Sequence, residues 1–116
     1  MLFRSRCAAI TGGYVALYLA CQKLLNDKKI KRNPIKAAVA AISVGVQNGV
    51  PLLDLNYAED AGADVDFNVV MTDAQAFVEV QGTAEREPFP YRTMEDILLL
   101  ASTGIDSLFE IGRAHV

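Results

Sequence analysis

Three carboxylates gather near the middle of the chain: Asp60, Asp64 and Asp66. Asp64 and Asp66 are two apart in an alternating segment. As strand residues they leave one face of a sheet, about 6–7 Å apart. Asp60 comes from the preceding acidic loop, which is rich in small residues and could fold back to the same place. Converging carboxylates are what a hard cation such as Mg²⁺ requires. The same pattern also makes a solvated strand face, and spacing alone favours that plainer reading because acidic surface residues are common. Arg6 stands just before the first helical pattern. A helix start with an arginine beside it is a ready phosphate site, but it is equally an ordinary basic residue, and spacing does not separate the two. Glu79 and Gln81 share the polar side of a later strand and lead into Gly82-Thr83-Ala84-Glu85, where they line a cleft or face water. The basic run from Lys28 to Lys36 could touch RNA phosphates, although such a run after a helix is usually a solvated loop. No zinc spacing, phosphate-cradling loop, nucleophile elbow or dinucleotide fingerprint occurs.

The elements that must position these residues follow from periodicity. Ile10, Tyr14, Leu17, Cys21, Leu24 and Leu25 recur at spacings of three and four, which predicts a helix from Cys7 to about Asn26. Pro34 prevents an easy restart. Ala38 to Gln47 reads as a strand, Asn48-Gly49 as a hairpin turn, and Leu52 to Leu55 as the return strand. Asp64 to Met71 alternates, with Val65, Phe67 and Val69 on one side. Ala76 to Gln81 forms another strand, with Phe77, Glu79 and Gln81 opposed to Val78 and Val80. A second apolar helix runs from Thr93, read as its N-cap, through Ile97, Ala101, Ile105 and Leu108. The order α–β–β–β–β–α predicts an α+β domain: a four-stranded, mainly antiparallel sheet with two helices on one face.

Bulk properties bound the answer without naming a partner. A length of 116 residues suits one small domain. Apolar residues make up 52% and charged residues 22%, as in globular chains. A net charge of −3 argues weakly against a stand-alone nucleic-acid module. Cys7 and Cys21 on one helix are roughly 21 Å apart, beyond disulfide reach, and read as buried thiols of a reducing compartment. No apolar run is expected to span a membrane and no secretory signal is seen, so a cytoplasmic location is expected. The two ends read as foreign. Residues 1–5 and 110–116 resemble translations of a short-read sequencing adapter and its reverse complement. Native sequence is therefore expected over 6–109, and His115 is expected to carry no function.

The strings themselves carry a resemblance. Cys7-Ala8-Ala9-Ile10-Thr11-Gly12-Gly13-Tyr14-Val15-Ala16-Leu17 is similar to the helix after the phosphate-binding loop of the ribonuclease PH family. Val39 to Gly45, Pro51 to Leu55, Tyr57 to Asp60, Val65 to Thr72 and Val78 to Glu85 resemble successive family segments in the right order. The resemblance covers nearly all of 6–109. It implies the C-terminal half of the ribonuclease PH fold, a ribosomal-protein-like βα domain 2 fold.

That resemblance implies a phosphorolytic 3′-5′ exoribonuclease, a tRNA nucleotidyltransferase that trims tRNA precursor 3′ ends. It uses inorganic phosphate as co-substrate, releases nucleoside diphosphates and employs a divalent metal such as Mg²⁺. By resemblance Arg6 matches the phosphate-binding arginine, and Asp60 and Asp66 match the acidic pair assigned to metal binding or general acid work. Full-length members form homo-oligomeric hexameric rings of dimers, act on RNA and have no membrane partner. Phe3, Arg4 and Ser5 stand where the family has Gly-Gly-Thr, and Arg86 where a smaller residue is expected. The missing N-terminal half makes the 116-residue chain inactive by expectation. The other classes are a non-catalytic RNA-binding subunit of an exosome-like ring and a polynucleotide phosphorylase domain.

Overall fold

A computed structural model describes residues 2–53 and 63–115, with side chains described over 6–53 and 63–113. Helix α1 (Leu2–Asn26) is followed by strands β1 (Val39–Gln47), β2 (Val50–Leu53), β3 (Val65–Thr72) and β4 (Phe77–Ala84), and by helix α2 (Tyr91–His115). The strands form one antiparallel sheet in the order β2-β1-β3-β4. The predicted element order and α+β class therefore stand. Asn48 and Gly49 both take positive φ, 53° and 78°, the conformation a two-residue hairpin turn demands and Asn-Gly supplies at least cost.

The main core lies between the sheet and α2. Ala40, Ile42, Val44 and Val46 from β1 and Val65, Phe67, Val69 and Met71 from β3 pack against Ile97, Ala101 and Ile105. The helical residues are four apart, one stripe on α2. Burying side chains such as Ile97 and Ile105 contributes about 1.5–3 kcal/mol each. Gly82 on β4 pairs with Phe67 on β3, and the Phe67 ring lies over the place a Cβ would occupy. Phe89 closes edge-on against that ring, with centroids 5.7 Å apart.

The two helices do not share a face, contrary to the sequence expectation. Cys7 and Ile10 of α1 pack on Ala41 and Val70, which alternate with the residues facing α2. The chain is thus a three-layer helix–sheet–helix stack. The reason is that β1 and β3 are the inner strands, and both of their faces need cover. Ala41, Gly45 and Val70 on the reverse face are small or apolar and buried. Thr11 adds a polar tie where β2 no longer covers the outer edge of β1: its Oγ1 accepts the Ala41 N–H at 3.0 Å.

Four local expectations also shift. α1 begins before Cys7, so Arg6 lies inside the helix. Thr93 is not the cap of α2, because its N–H already bonds the Pro90 carbonyl at 3.0 Å. An irregularity between Val70 and Met71 leaves Val78 unmatched, so Phe77 lies on the α2 side while Glu79 lies on the α1 side. Finally, Arg6–Asn26 is long and apolar enough to cross a membrane by length and composition alone, which the sequence reading did not expect. Cys7, Ile10 and Thr11 tie this helix to the sheet.

Candidate active site

The reverse face of the sheet, under α1, carries polar side chains beside its small and apolar ones, whereas the other face is apolar. Cross-strand pairing sets its rows: Val70 beside Glu79, Asn68 beside Gln81, and Asp66 beside Thr83. Ser43 and Gly45 on β1 complete the rows of Asn68 and Asp66. Successive rows are about 6–7 Å apart. Strand alternation therefore delivers Asp66, Asn68, Glu79, Gln81 and Ser43 to one surface, and α1 brings Arg6, Cys7 and Thr11 down upon it.

Arg6 reaches across to β4. Its Nη1 donates to Gln81 Oε1 at 2.9 Å, and its Nη2 donates to Glu79 Oε2 at 2.8 Å. Glu79 Oε1 also stands 2.7 Å from Nη1, an ion pair without hydrogen-bond alignment. The hydrogen bond to Glu79, then its charge, raises the Arg6 pKa, so the guanidinium stays charged at any ordinary pH. Arg6 is thereby held over the Gln81 and Glu79 rows, and Asp66 occupies the next row along.

Behind Arg6 a buried polar knot joins three elements. Asn68, on β3, is 1% exposed. Its Oδ1 accepts from Cys7 Sγ at 3.4 Å and from Ser43 Oγ at 3.0 Å. The knot fixes the helix turn carrying Cys7, and hence Arg6, against the sheet.

The candidates from sequence fare differently. Asp66 and Arg6 come to the same surface. Asp60 lies outside the described residues. Asp64 does not join the others: it precedes β3, and its Oδ1 accepts from Arg86 Nη1 at 3.3 Å. Arg86, unexpected in its loop, thus has a partner. The helix-start reading of Arg6 is corrected as well. Four residues of α1 precede it, so the unpaired N–H groups of the first turn lie upstream and Arg6 offers its side chain. The Lys28–Lys36 run begins about 30 Å along the helix axis from Arg6. Among the described residues no group of three or more His, Cys, Asp or Glu gathers as a metal site. Asn68, Ser43 and Cys7 were missed as a set. Alternation in β3 hints at Asn68, but its partners on α1 and β1 are 61 and 25 residues away.

A sequence model of the 3′ exoribonuclease family, domain 2, matches residues 37–104, which takes in all four strands and the first half of α2. The chain belongs to this 3′ exoribonuclease family. It is also 51% identical over 106 residues to proteins named ribonuclease PH from Neisseria meningitidis serogroups A, B and C. Each alignment covers 91% of this chain and 44% of the relative, so the chain spans under half the length of these relatives. As a second domain of the exoribonuclease family, the chain places Asp66, Asn68, Glu79 and Gln81 within the matched segment and Arg6 upstream of it.

Proposed function

We propose that this chain supplies the phosphate-binding arginine and the acidic strand of a phosphorolytic 3′-5′ exoribonuclease that trims tRNA precursors. The observation that carries the reading is the placement of Arg6 and Asp66 on one polar sheet face, a row apart. Arg6 presents N–H groups to inorganic phosphate in the forked geometry that suits phosphate oxygens. A phosphate oxygen attacks the phosphorus of the 3′-terminal phosphodiester. The bond from that phosphorus to the 3′ oxygen of the penultimate nucleotide breaks, and a nucleoside diphosphate departs. The released 3′ oxygen takes up a proton, and Asp60 and Asp66 are the candidate donors.

Asp66 is a half-buried carboxylate on a polar face, the hard oxygen donor that Mg²⁺ prefers. In the alternative to proton donation, Asp60 and Asp66 as carboxylates would hold such an ion, which would offset charge on the phosphates. The proposed surroundings are a cytoplasmic, homo-oligomeric ring acting on RNA 3′ ends. Because the chain spans 44% of its relatives, turnover is proposed for the complete enzyme and not for these 116 residues alone.

The test joins this chain to the remaining portion of the N. meningitidis ribonuclease PH and follows a tRNA precursor with and without inorganic phosphate. Phosphate-dependent shortening with release of nucleoside diphosphates supports the reading. Shortening without phosphate makes the enzyme a hydrolase. Firm RNA binding without shortening favours a non-catalytic ring subunit.

A further inference from the structure

Arginine carries five N–H donors. Among the described residues, two of those on Arg6 are committed to β4, one to Gln81 and one to Glu79. Glu79 and Gln81 are two apart, on the same side of the strand, and grip the guanidinium from one edge. Among the described residues its other N–H groups have no hydrogen-bond acceptor, and the side chain is 44% exposed, so donors are left to meet a ligand. Among the described residues Glu79 Oε1 is buried without a hydrogen bond of its own, and the cation beside it is Nη1 of Arg6. The carboxylate thus has no role among its described neighbours other than to hold Arg6.

From this geometry we infer that Glu79 is a positioning residue for phosphate, acting through Arg6, with Gln81 as its second contact. The inference rests on the proposed role of Arg6. A long, partly exposed side chain such as that of Arg6 samples many rotamers unless something fixes it. Glu79 and Gln81 select the rotamer that lays the guanidinium over the sheet, in the row next to Asp66. The ligand is inorganic phosphate, a small tetrahedral dianion matched to the donors left open. Glu79 does not touch it; its carboxylate would repel it, and its contribution is the fixed orientation of the arginine between them.

The experiment uses the same complete enzyme, with inorganic phosphate and RNA varied separately. Glu79→Ala is expected to raise the KM for phosphate about tenfold or more, with kcat and the KM for RNA within about twofold. Glu79→Gln keeps an oxygen that accepts from Nη2 and is expected to restore most of the phosphate affinity. Arg6→Ala raises the KM for phosphate too, and Arg6→Ala/Glu79→Ala is expected to be no worse than Arg6→Ala alone, because the two residues act as one unit. Additive effects of the two substitutions, or an equal loss in phosphate and RNA parameters that Glu79→Gln does not relieve, would overturn the inference and leave Arg6 in place. An unchanged phosphate KM in Arg6→Ala would overturn the reading of Arg6 itself, and Glu79 with it.

Discussion

The thiol of Cys7 on α1 donates to Oδ1 of Asn68 on β3 at 3.4 Å, and the oxygen also accepts from Ser43 at 3.0 Å. One side-chain oxygen therefore ties a helix to two strands, while Asn68 Nδ2 is buried without a hydrogen-bond partner among the described residues. The carbonyl half of the amide stabilises the stack and the amino half costs free energy. Asn68→Ala removes both, and is expected to cost about 1–3 kcal/mol of unfolding free energy in urea titrations. Asn68→Asp places a second carboxylate oxygen where no donor waits among the described residues, and is expected to cost about 3 kcal/mol or more at neutral pH. Burial raises the pKa of the new carboxyl in the folded state above its unfolded value. The folded state then binds the proton more tightly, so the deficit of Asn68→Asp shrinks as pH falls through that raised value. A deficit independent of pH would count against a buried charge at position 68.

Two glycines test packing by contrast. A Cβ at Gly82 meets the body of the Phe67 ring, which is itself held by Phe89. A Cβ at Gly104 meets the terminal methyl of Ile42, the flexible end of a side chain. Gly104 also lies inside α2, where alanine gains about 1 kcal/mol in helix propensity. Gly82→Ala is therefore expected to destabilise by about 1–3 kcal/mol, and Gly104→Ala by clearly less. Thermal unfolding of the two variants side by side checks the order.

Tyr14 gives a prediction at high pH. Burial against the sheet raises its phenol pKa, with smaller contributions from Asp73 and Tyr18. A folded pKa above the unfolded value near 10 means that folding retains the proton. The associated stability is fully present below the unfolded value and is lost as pH rises through the folded one. An absorbance titration of tyrosinate is expected to show a late-ionising phenol that Tyr14→Phe removes. If the late phase survives the substitution, another tyrosine owns it.

Much of this was legible in the sequence, for physical reasons. Period-two alternation located β1, β3 and β4, because a side chain every second residue must share a face. Asn48-Gly49 fixed the hairpin, because few residue pairs tolerate two positive φ values. What escaped was relational. The reverse face of the sheet is covered through Ala41, Gly45 and Val70, and small residues on a strand do not announce which helix will cover them. The unmatched Val78 moved Phe77 away from Glu79, and a one-residue irregularity leaves almost no compositional trace. Arg6 and Glu79 are 73 residues apart, and no periodicity links positions on different elements.

Asp64 and Asp66 are indistinguishable by spacing, and the structure separates them. Asp64 is ion-paired with Arg86 at 3.3 Å, both side chains being well exposed, 37% and 62%. Exposed pairs of this kind are worth about 0–1 kcal/mol, so Asp64→Asn is expected to lower stability slightly and leave turnover of the complete enzyme near the parent level. Asp66 lies in the row between Gly45 and Thr83, beside the row that Gln81 shares with Arg6. Asn at 66 keeps the shape and removes the charge a cation or proton would need. Asp66→Asn is expected to lower kcat about 100-fold or more, in the range of lost acid–base or metal assistance, with RNA binding retained. Parallel measurements of kcat and RNA affinity on the two variants decide the matter. Equal losses at both positions would make the strand a generic acidic surface, whereas a loss confined to Asp66→Asn ties the chemistry to the face that α1 and Arg6 overlook.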